Sequence, residues 1–355
     1  MLTLVLNPGS TSTKVAIYED KNELFKKSIA HSKEELAPFD TIMDQFDFRY
    51  NIVLETLKEA GYTLDQLSCV ISRGGAPENA LTGATKIDER LIDSLKTRPK
   101  EPHPAAIGPV IAYKISQEYG IPSWIYDPVS ADELVPLARV FGVKGIEHDS
   151  MCHTLNSHAM AIAQANDLGK KVEDCTFIVA HFGGGNSTAC WRKGRLVDVV
   201  PGDAGTFSSE RCGPLRAEAM VELCKKHDAK TIRGWFHGKG GMVSLLGTND
   251  LRDVEKMIAD GDEYALLCEQ AMAYQMAKAI SSLVPAAEGE LDGIILTGGG
   301  AYWERLTDDM KKHLAALNVP VYIRAGENEM LSLAEGAYRL MNGEETAHIY
   351  EEDLR

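Results

Sequence analysis

Positive charge, paired cysteines and long apolar runs are all scarce in this chain. Its 355 residues carry 37 Lys and Arg against 52 Asp and Glu, a formal net charge of −15. Nucleic-acid binding needs clustered cations, so a chain this acidic is excluded as a general nucleic-acid binder. Any anionic ligand must be drawn in by a local positive site against the global field. The cysteines (Cys69, Cys152, Cys175, Cys190, Cys212, Cys224 and Cys268) are odd in number, and no two stand at Cys-x-x-Cys spacing. That argues against a disulfide framework or a zinc knuckle and for reduced thiols. No apolar run approaches the ~18 residues of a membrane span. Met1 leads straight into the apolar segment 2–6 instead of a secretion signal, so a soluble cytoplasmic protein is expected. Two nucleotide-binding signatures are also missing. No G-x-x-x-x-G-K-[ST] occurs, which excludes a P-loop NTPase, and no complete G-x-G-x-x-G follows a strand, which leaves a dinucleotide fold unsupported.

What is present is ordinary globular composition, 44% apolar and 25% charged. At roughly 150 residues per domain the length suits two domains. Apolar patterning in the first half predicts a strand at 2–6, a Gly/Ser/Thr turn at 7–13 and a strand at 14–18. It then predicts a helix at 48–60, a strand at 69–72 running into Arg73-Gly74-Gly75, a helix at 105–118 and a strand at 121–126 before Asp127. The second half reads in the same order: a strand at 177–180, a turn from His181 to Ser187 and a strand at 188–192. Further on come a strand at 293–296, the turn Thr297–Gly300, a helix near 303–316, a strand at 319–324 and a helix near 331–342. A long helix at 262–284 is apolar on almost every side, which predicts burial in the core or in an oligomer interface.

The halves align with each other. Residues 3–18 lie over 177–192 without a gap, 69–76 over 294–301, and 121–127 over 319–325. Three matches in one order point to internal duplication. The expected fold class is α/β, two similar domains facing across a cleft: 1–148, completed by 331–355, and 149–330.

Four turns rich in Gly, Ser and Thr follow strands, at 7–13, 73–76, 183–187 and 298–301. Small residues let backbone N–H groups approach an anion closely, and hydroxyls add donors. One such turn is as readily a plain hairpin as a ligand loop. A duplicated pair points to a grip on a polyphosphate.

Asn7-Pro8-Gly9-Ser10-Thr11-Ser12-Thr13-Lys14 resembles the signature N-x-G-S-[ST]-S-x-K of the acetate and butyrate kinases, and in detail its butyrate-kinase form. His181-Phe182-Gly183-Gly184-Gly185 resembles that family's second motif, H-x-G-x-G. The resemblance extends over essentially the whole chain. It implies duplicated actin-like (ribonuclease H-like) ATPase domains and transfer of the γ-phosphoryl of ATP to a short-chain fatty acid with Mg²⁺. Butanoate is the first choice of acid, with acetate, propionate or a branched acid as alternatives. A homodimer or higher homo-oligomer is expected, with the apolar helix 262–284 as the interface.

By the same resemblance, Arg73 contacts the acyl carboxylate or the phosphoryl group, and Arg211 and His153 stabilise the phosphoryl in flight. His181 meets the β/γ-phosphates, and His103 lies on the substrate side. Asp127 organises Mg²⁺, with Glu329 as the metal-linked carboxylate and Glu327 its close rival. Asn7 binds phosphate or a metal-bound water. The nucleotide takes Ser10, Ser12, Lys14, Gly183, Gly184, Gly185, Asn186, Gly298, Gly299 and Gly300. Pro77 and Ile107 are candidates for the acyl pocket. The second histidine of the acetate kinases, four residues after His153, is Ser157 here, with His158 one place off. A carboxylate acceptor is already ionised at neutral pH, so the site should hold cations and a metal rather than a general base. A sugar kinase would need an Asp base for a hydroxyl. The non-enzyme rival is a nucleotide-switched actin-like structural or regulatory protein.

Overall fold

Two mixed sheets organise the chain, and the computed structural model describes residues 1–350. Contacts divide these residues into unit 1 (1–132 with 328–350) and unit 2 (Glu133–Glu327). Residues 133–148, which the sequence reading gave to the first domain, group with unit 2, and 328–330 group with unit 1. The end of the expected C-terminal helix, 351–355, lies outside the described residues.

Unit 1 holds β1 (Leu2–Pro8), β2 (Ser12–Glu19), β3 (Asn22–Ala30), β4 (Cys69–Arg73), β5 (Ala84–Lys86) and β6 (Ser123–Tyr126), in the order β3-β2-β1-β4-β6-β5. Unit 2 holds β7 (Thr176–Phe182), β8 (Asn186–Arg192), β9 (Arg195–Val200), β10 (Gly293–Gly298) and β11 (Val321–Ala325), in the order β11-β10-β7-β8-β9. Both sheets hold an antiparallel three-strand meander continued by two parallel strands, and unit 1 adds β5 antiparallel at its edge, so the duplication is present in the topology. The helices that matter here are α1 (Phe46–Glu59), α2 (Ile107–Tyr119), α3 (Thr154–Asp167), α4 (Glu263–Ser282), α5 (Glu304–Leu314) and α6 (Glu329–Met341).

Strand register keeps the overlay of 121–127 on 319–325 and corrects that of 69–76 on 294–301 by one residue. Leu4 stands opposite Val70, and Ile178 opposite Ile294. Val70 therefore corresponds to Ile294, Arg73 to Thr297, and Gly74-Gly75 to Gly298-Gly299. Pro8 pairs with Thr13, whereas Phe182 pairs with Asn186. The second hairpin turn is one residue shorter, so the gap-free overlay fails beyond it. A one-residue slip flips every side chain to the other face, which a comparison of letters does not register.

Central strands are buried on both faces, as helices on each side require. Ile178, Ala180 and Phe182 of β7 pack with Met272, Met276 and Ile280 of α4 and Leu306 and Met310 of α5. Phe177 and Val179 face Met160, Ala161 and Ala165 of α3. In unit 1, Leu4 and Leu6 pack with Val53 and Leu57 of α1 and Ile107, Ile111 and Ile115 of α2. Helix α6 packs on β1, β4 and β6. Gly108 brings α2 so close to β4 that a Cβ would fall 2.0 Å from Ser72 Oγ.

The long helix α4 is N-capped by Asp262, whose carboxylate accepts from the N–H groups of Tyr264 and Ala265. It is less uniformly apolar in place than its sequence suggests. Tyr264, Leu267 and Tyr274 are about half exposed, and Glu269 is completely buried. All seven cysteines are free. No helix among the described residues is long and apolar enough to cross a membrane.

Candidate functional site

The hairpin turn of unit 1 is closed by the Gly9 N–H, which donates to Ser12 O at 2.8 Å. That carbonyl also accepts from Arg49 Nη1 at 2.9 Å, and Thr11 O accepts from the His31 N–H at 2.8 Å. Both carbonyls are thus tied to the protein. The N–H groups of Ser10 and Thr11 have no acceptor among the described residues, and both residues are exposed. Successive N–H groups without acceptors form a concavity suited to an anion. Lys14 stands opposite Asn7 in the β1–β2 ladder and has no ion-pair partner among the described residues.

At the ends of β1 and β4, Asn7 and Arg73 share the first residue of α6. Arg73 Nη1 lies 2.9 Å from Glu329 Oε1, and Asn7 Nδ2 donates to Glu329 Oε2 at 2.7 Å. Arg73 Nε is buried without a hydrogen-bond partner. His103 Nδ1 accepts from the Ala105 N–H at 3.2 Å, which places the ring proton on Nε2. Burial and the Arg73 charge push its pKa down to about 4, so the imidazole is neutral at pH 7. Asp127 ends β6 in the left-handed region (φ 43°), and its Oδ1 accepts from the Gly83 N–H at 2.6 Å. Pro77 and Ile107 are both buried, and Ile107 belongs to the core, so neither lines an open acyl pocket.

Among the described residues, no three His, Cys, Asp or Glu side chains converge to hold a metal by themselves. A nucleotide-borne Mg²⁺ needs no such cage, because it keeps waters and takes one or two carboxylates with the phosphates. The donor set fits that mode. Each Glu329 oxygen accepts one bond, and a carboxylate offers about four acceptor positions.

Unit 2 builds its turn from neutral groups. Ser209 Oγ donates to Gly183 O at 3.1 Å, and Ser208 Oγ to Gly184 O at 2.6 Å. The Ser208 hydroxyl also accepts from the N–H groups of Glu210 and Arg211. The N–H groups of Gly184 and Gly185 have no acceptor among the described residues. The Arg211 guanidinium lies against Gly185, where an added Cβ would fall 2.8 Å from Cζ. Arg211 is half-buried, and its side chain has neither a hydrogen-bond nor an ion-pair partner among the described residues. A cation held in place without an anion is unusual, because desolvated charge is costly unless paired. Asn186 is consumed by the turn: its Oδ1 accepts from the Gly183 N–H and its Nδ2 donates to Phe207 O.

Two imidazoles stack beside this turn, His153 on His181, with ring centroids 3.9 Å apart and planes 11° apart. Ser187 Oγ accepts from the His153 N–H at 3.1 Å and lies 2.7 Å from its Nδ1. A hydroxyl proton pointed at Nδ1 would leave the ring proton on Nε2. His181 Nδ1 accepts from Asn156 Nδ2 at 2.9 Å, and its Nε2 lies 3.2 Å from Glu327 Oε1. The rival carboxylates are thereby separated: Glu327 serves His181 in unit 2, and Glu329 serves Arg73 and Asn7 in unit 1. His158 stacks on Trp191, whose indole N–H donates to Ser157 Oγ, so neither His158 nor Ser157 joins the pair. Gly298 (φ 86°) and Gly300 are required by Phe182, which a Cβ at either would approach to 2.4 and 2.5 Å. Gly299 faces open space.

Sequence reasoning missed Arg49, Asn156, Ser187, Ser208 and Ser209. Only the serines carried a signal, through their adjacency to named motifs.

The acetokinase family model matches residues 138–336. Butyrate kinase 1 of Clostridium acetobutylicum is 38% identical over 352 residues, covering 98% of this chain and 99% of that one. Among solved structures, the acetate kinase of Porphyromonas gingivalis matches with a TM-score of 0.77 at 18% identity, over 96% of this chain and 99% of that one. The acetate kinase of Entamoeba histolytica matches with a TM-score of 0.78 at 16% identity, over 96% and 100%. At such identities the structural likeness speaks for the fold alone, the duplicated actin-like α/β fold expected from the sequence.

Proposed function

We infer the function from one premise: the chain belongs to the acetokinase family. It is a phosphotransferase with a carboxyl group as acceptor. Its reaction is the reversible transfer of the γ-phosphoryl group of ATP to butanoate, giving butanoyl phosphate and ADP. Near-full-length likeness to a butyrate kinase supports the choice of acid. The observation that carries the chemistry is Arg211, a cation held against a glycine turn with no anion of the protein's own.

Roles follow from the geometry. The turns 9–12 and 183–185 bind phosphate oxygens through N–H groups whose carbonyls are tied away. Arg211 stabilises charge on the transferring phosphoryl, where a preorganised donor is worth most. His153 offers its Nε2–H to the same group, with Ser187 holding the tautomer. His181 offers Nε2–H to the β/γ-phosphates in exchange for Glu327, whose side chain is 44% exposed. Arg73 orients the acyl carboxylate through N–H groups that Glu329 leaves over, and neutral His103 lies within reach of its charge. Mg²⁺ carried by the nucleotide would be held by Glu329 and Asp127, with Asn7 beside them, and would shield the phosphate charge. No general base is required, since the acceptor is already an anion. The enzyme works in the cytoplasm, where ATP is supplied. It self-associates through the exposed stripe of Tyr264, Leu267 and Tyr274 on α4.

Hydroxamate trapping of acyl phosphate tests the reading, with ATP, Mg²⁺ and acetate, propionate, butanoate or 2-methylpropanoate. Fastest trapping with butanoate is expected. A faster rate with another acid moves the substrate but keeps the chemistry. No trapping from protein that binds ATP overturns the kinase assignment.

A further inference from the structure

Arg49 is the largest charged side chain that unit 1 buries, with no exposed surface at all. It sits on α1 and reaches the back of the first hairpin turn. Nη1 donates to Ser12 O at 2.9 Å and to Thr13 Oγ1 at 3.0 Å, and Nε donates to Gln45 Oε1 at 2.9 Å. Nη2 is buried with no partner. None of these acceptors is charged, and Arg49 forms no ion pair among the described residues. An ionisable neighbour is His31, whose Nε2 lies 2.8 Å from Thr13 Oγ1. The Thr13 hydroxyl accepts from Arg49 and keeps its own proton available to His31 Nε2. Burial and the Arg49 charge both lower the pKa of that imidazole and favour its neutral form. The result is a full positive charge, sealed from water and uncompensated, directly beneath a turn whose outward face is N–H groups and hydroxyls.

An unpaired buried cation is costly to a fold, and a core that wanted only to brace the turn could use a neutral donor. Unit 2 does so, with Ser208 and Ser209. A low-dielectric setting makes the Arg49 charge felt strongly at the turn's outer face. We propose that Arg49 is a positioning residue that fixes the turn 9–12 and supplies, from behind, the positive potential with which that turn holds a phosphoryl anion. Arg49 does not touch the ligand. It acts through Ser12 and Thr13, and anion binding in turn offsets the cost of its burial. This rests on the reading that the turn binds phosphate, and it adds the source of the charge.

The test compares ATP, ADP and adenosine by calorimetric titration of the full-length protein, for wild type, Arg49→Met, Arg49→Lys and Thr13→Val. Arg49→Met is expected to weaken ATP and ADP binding about tenfold while leaving adenosine affinity unchanged, because only the phosphates feel the charge. Arg49→Lys, which restores charge without the fork, recovers part of that loss. Thr13→Val keeps the shape and the cation but removes one link. It is expected to weaken ATP about two- to threefold, and it carries the test if Arg49→Met does not fold. Equal weakening of ATP and adenosine in these variants, or no weakening of either, overturns the proposal. If wild type itself binds ATP no more tightly than adenosine, the phosphate-binding reading fails instead.

Discussion

The two hairpin turns reach one backbone arrangement with opposite placements of charge. In unit 1 the carbonyls of Thr11 and Ser12 are tied down by a backbone N–H and by Arg49, so the cation lies beneath the turn, out of water. In unit 2 the carbonyls of Gly183 and Gly184 are tied by two neutral hydroxyls, and the cation, Arg211, lies on the turn against Gly185. Either way, N–H groups face outward. The difference lies in what each cation can do. A buried guanidinium adds a fixed potential that favours an anion in any state, which is uniform binding. A half-buried one can contact a phosphoryl group as its charge redistributes, which is where binding energy accelerates chemistry. Unit 1 should therefore set affinity and unit 2 the rate.

Removing the surface cation should give the largest effect. Arg211→Ala is expected to lower kcat by about 10³-fold, with KM for ATP changed by about threefold at most. Its melting temperature should stay near that of wild type, since no protein partner loses a bond. A large rise in KM with kcat intact would erase the distinction between the turns.

Moving that cation without removing it should come next. Gly185→Ala puts a methyl where the guanidinium lies, and the flexible arm yields before the backbone does. The expected loss is about 10- to 100-fold in kcat, from misplacement alone. Gly142→Ala is the control, because its Cβ meets nothing and the residue has no part in either turn, and it should keep wild-type rates. Equal losses in the two variants would point to general glycine intolerance rather than to Arg211.

Ser187→Ala should cost less. It frees His153 to take either tautomer, and about a tenfold fall in kcat is expected without a matching change in ATP affinity. Proton NMR of the imidazole reads the tautomer directly and should show the Nε2–H form only in wild type.

The smallest effect on activity belongs to the other completely buried charge-bearing group, Glu269 on α4. Neither of its oxygens receives a bond from a donor group, and burial, with the Asp309 carboxyl close enough to share a proton, pushes its pKa from 4.5 up to about 7. The folded chain then holds a proton that the unfolded chain has lost between about pH 4.5 and 7. This carboxyl's contribution to stability falls across that window as pH rises and is flat above it. The loss is on the order of 2–3 kcal/mol. Glu269→Gln should remove that slope in urea melts at a series of pH values while leaving kcat unchanged. An identical slope in the variant would contradict the assignment. Arg49 keeps its charge beneath the first hairpin turn, whereas Glu269 keeps its proton between two helices.

Much of this was legible before any coordinate. The strand ends that carry Asn7, Arg73, Asp127 and His181 follow from apolar runs ending in small or polar residues, whereas the strands Asn22–Ala30, Ala84–Lys86 and Arg195–Val200 carry no such run and went unread. Resemblance to the family named Arg211 without its surroundings. What stayed hidden were groups whose meaning depends on distance across the chain. Arg49 sits four residues after Gln45 on a helix, a pattern that usually marks a solvated face, and its real partners are 36 and 37 residues away. Glu269 lies in a run of Ala and Met, where a single acid looks like a gap in an apolar stripe rather than a buried carboxyl. Glu327 and Glu329 stand two residues apart, and only the fold sends one to each unit. The overlay of 3–18 on 177–192 fails beyond the turn because the second hairpin is one residue shorter, and that of 69–76 on 294–301 is separately out of register by one.

A single-turnover measurement reaches the central claim most directly: rapid-quench transfer of the γ-phosphoryl from labelled ATP to butanoate, at saturating ATP, in wild type, Arg211→Ala and Arg49→Lys. The account predicts a transfer step slowed by about 10³-fold in Arg211→Ala and within about threefold of wild type in Arg49→Lys. A transfer step slowed equally in both variants, or unaffected in Arg211→Ala, would contradict it.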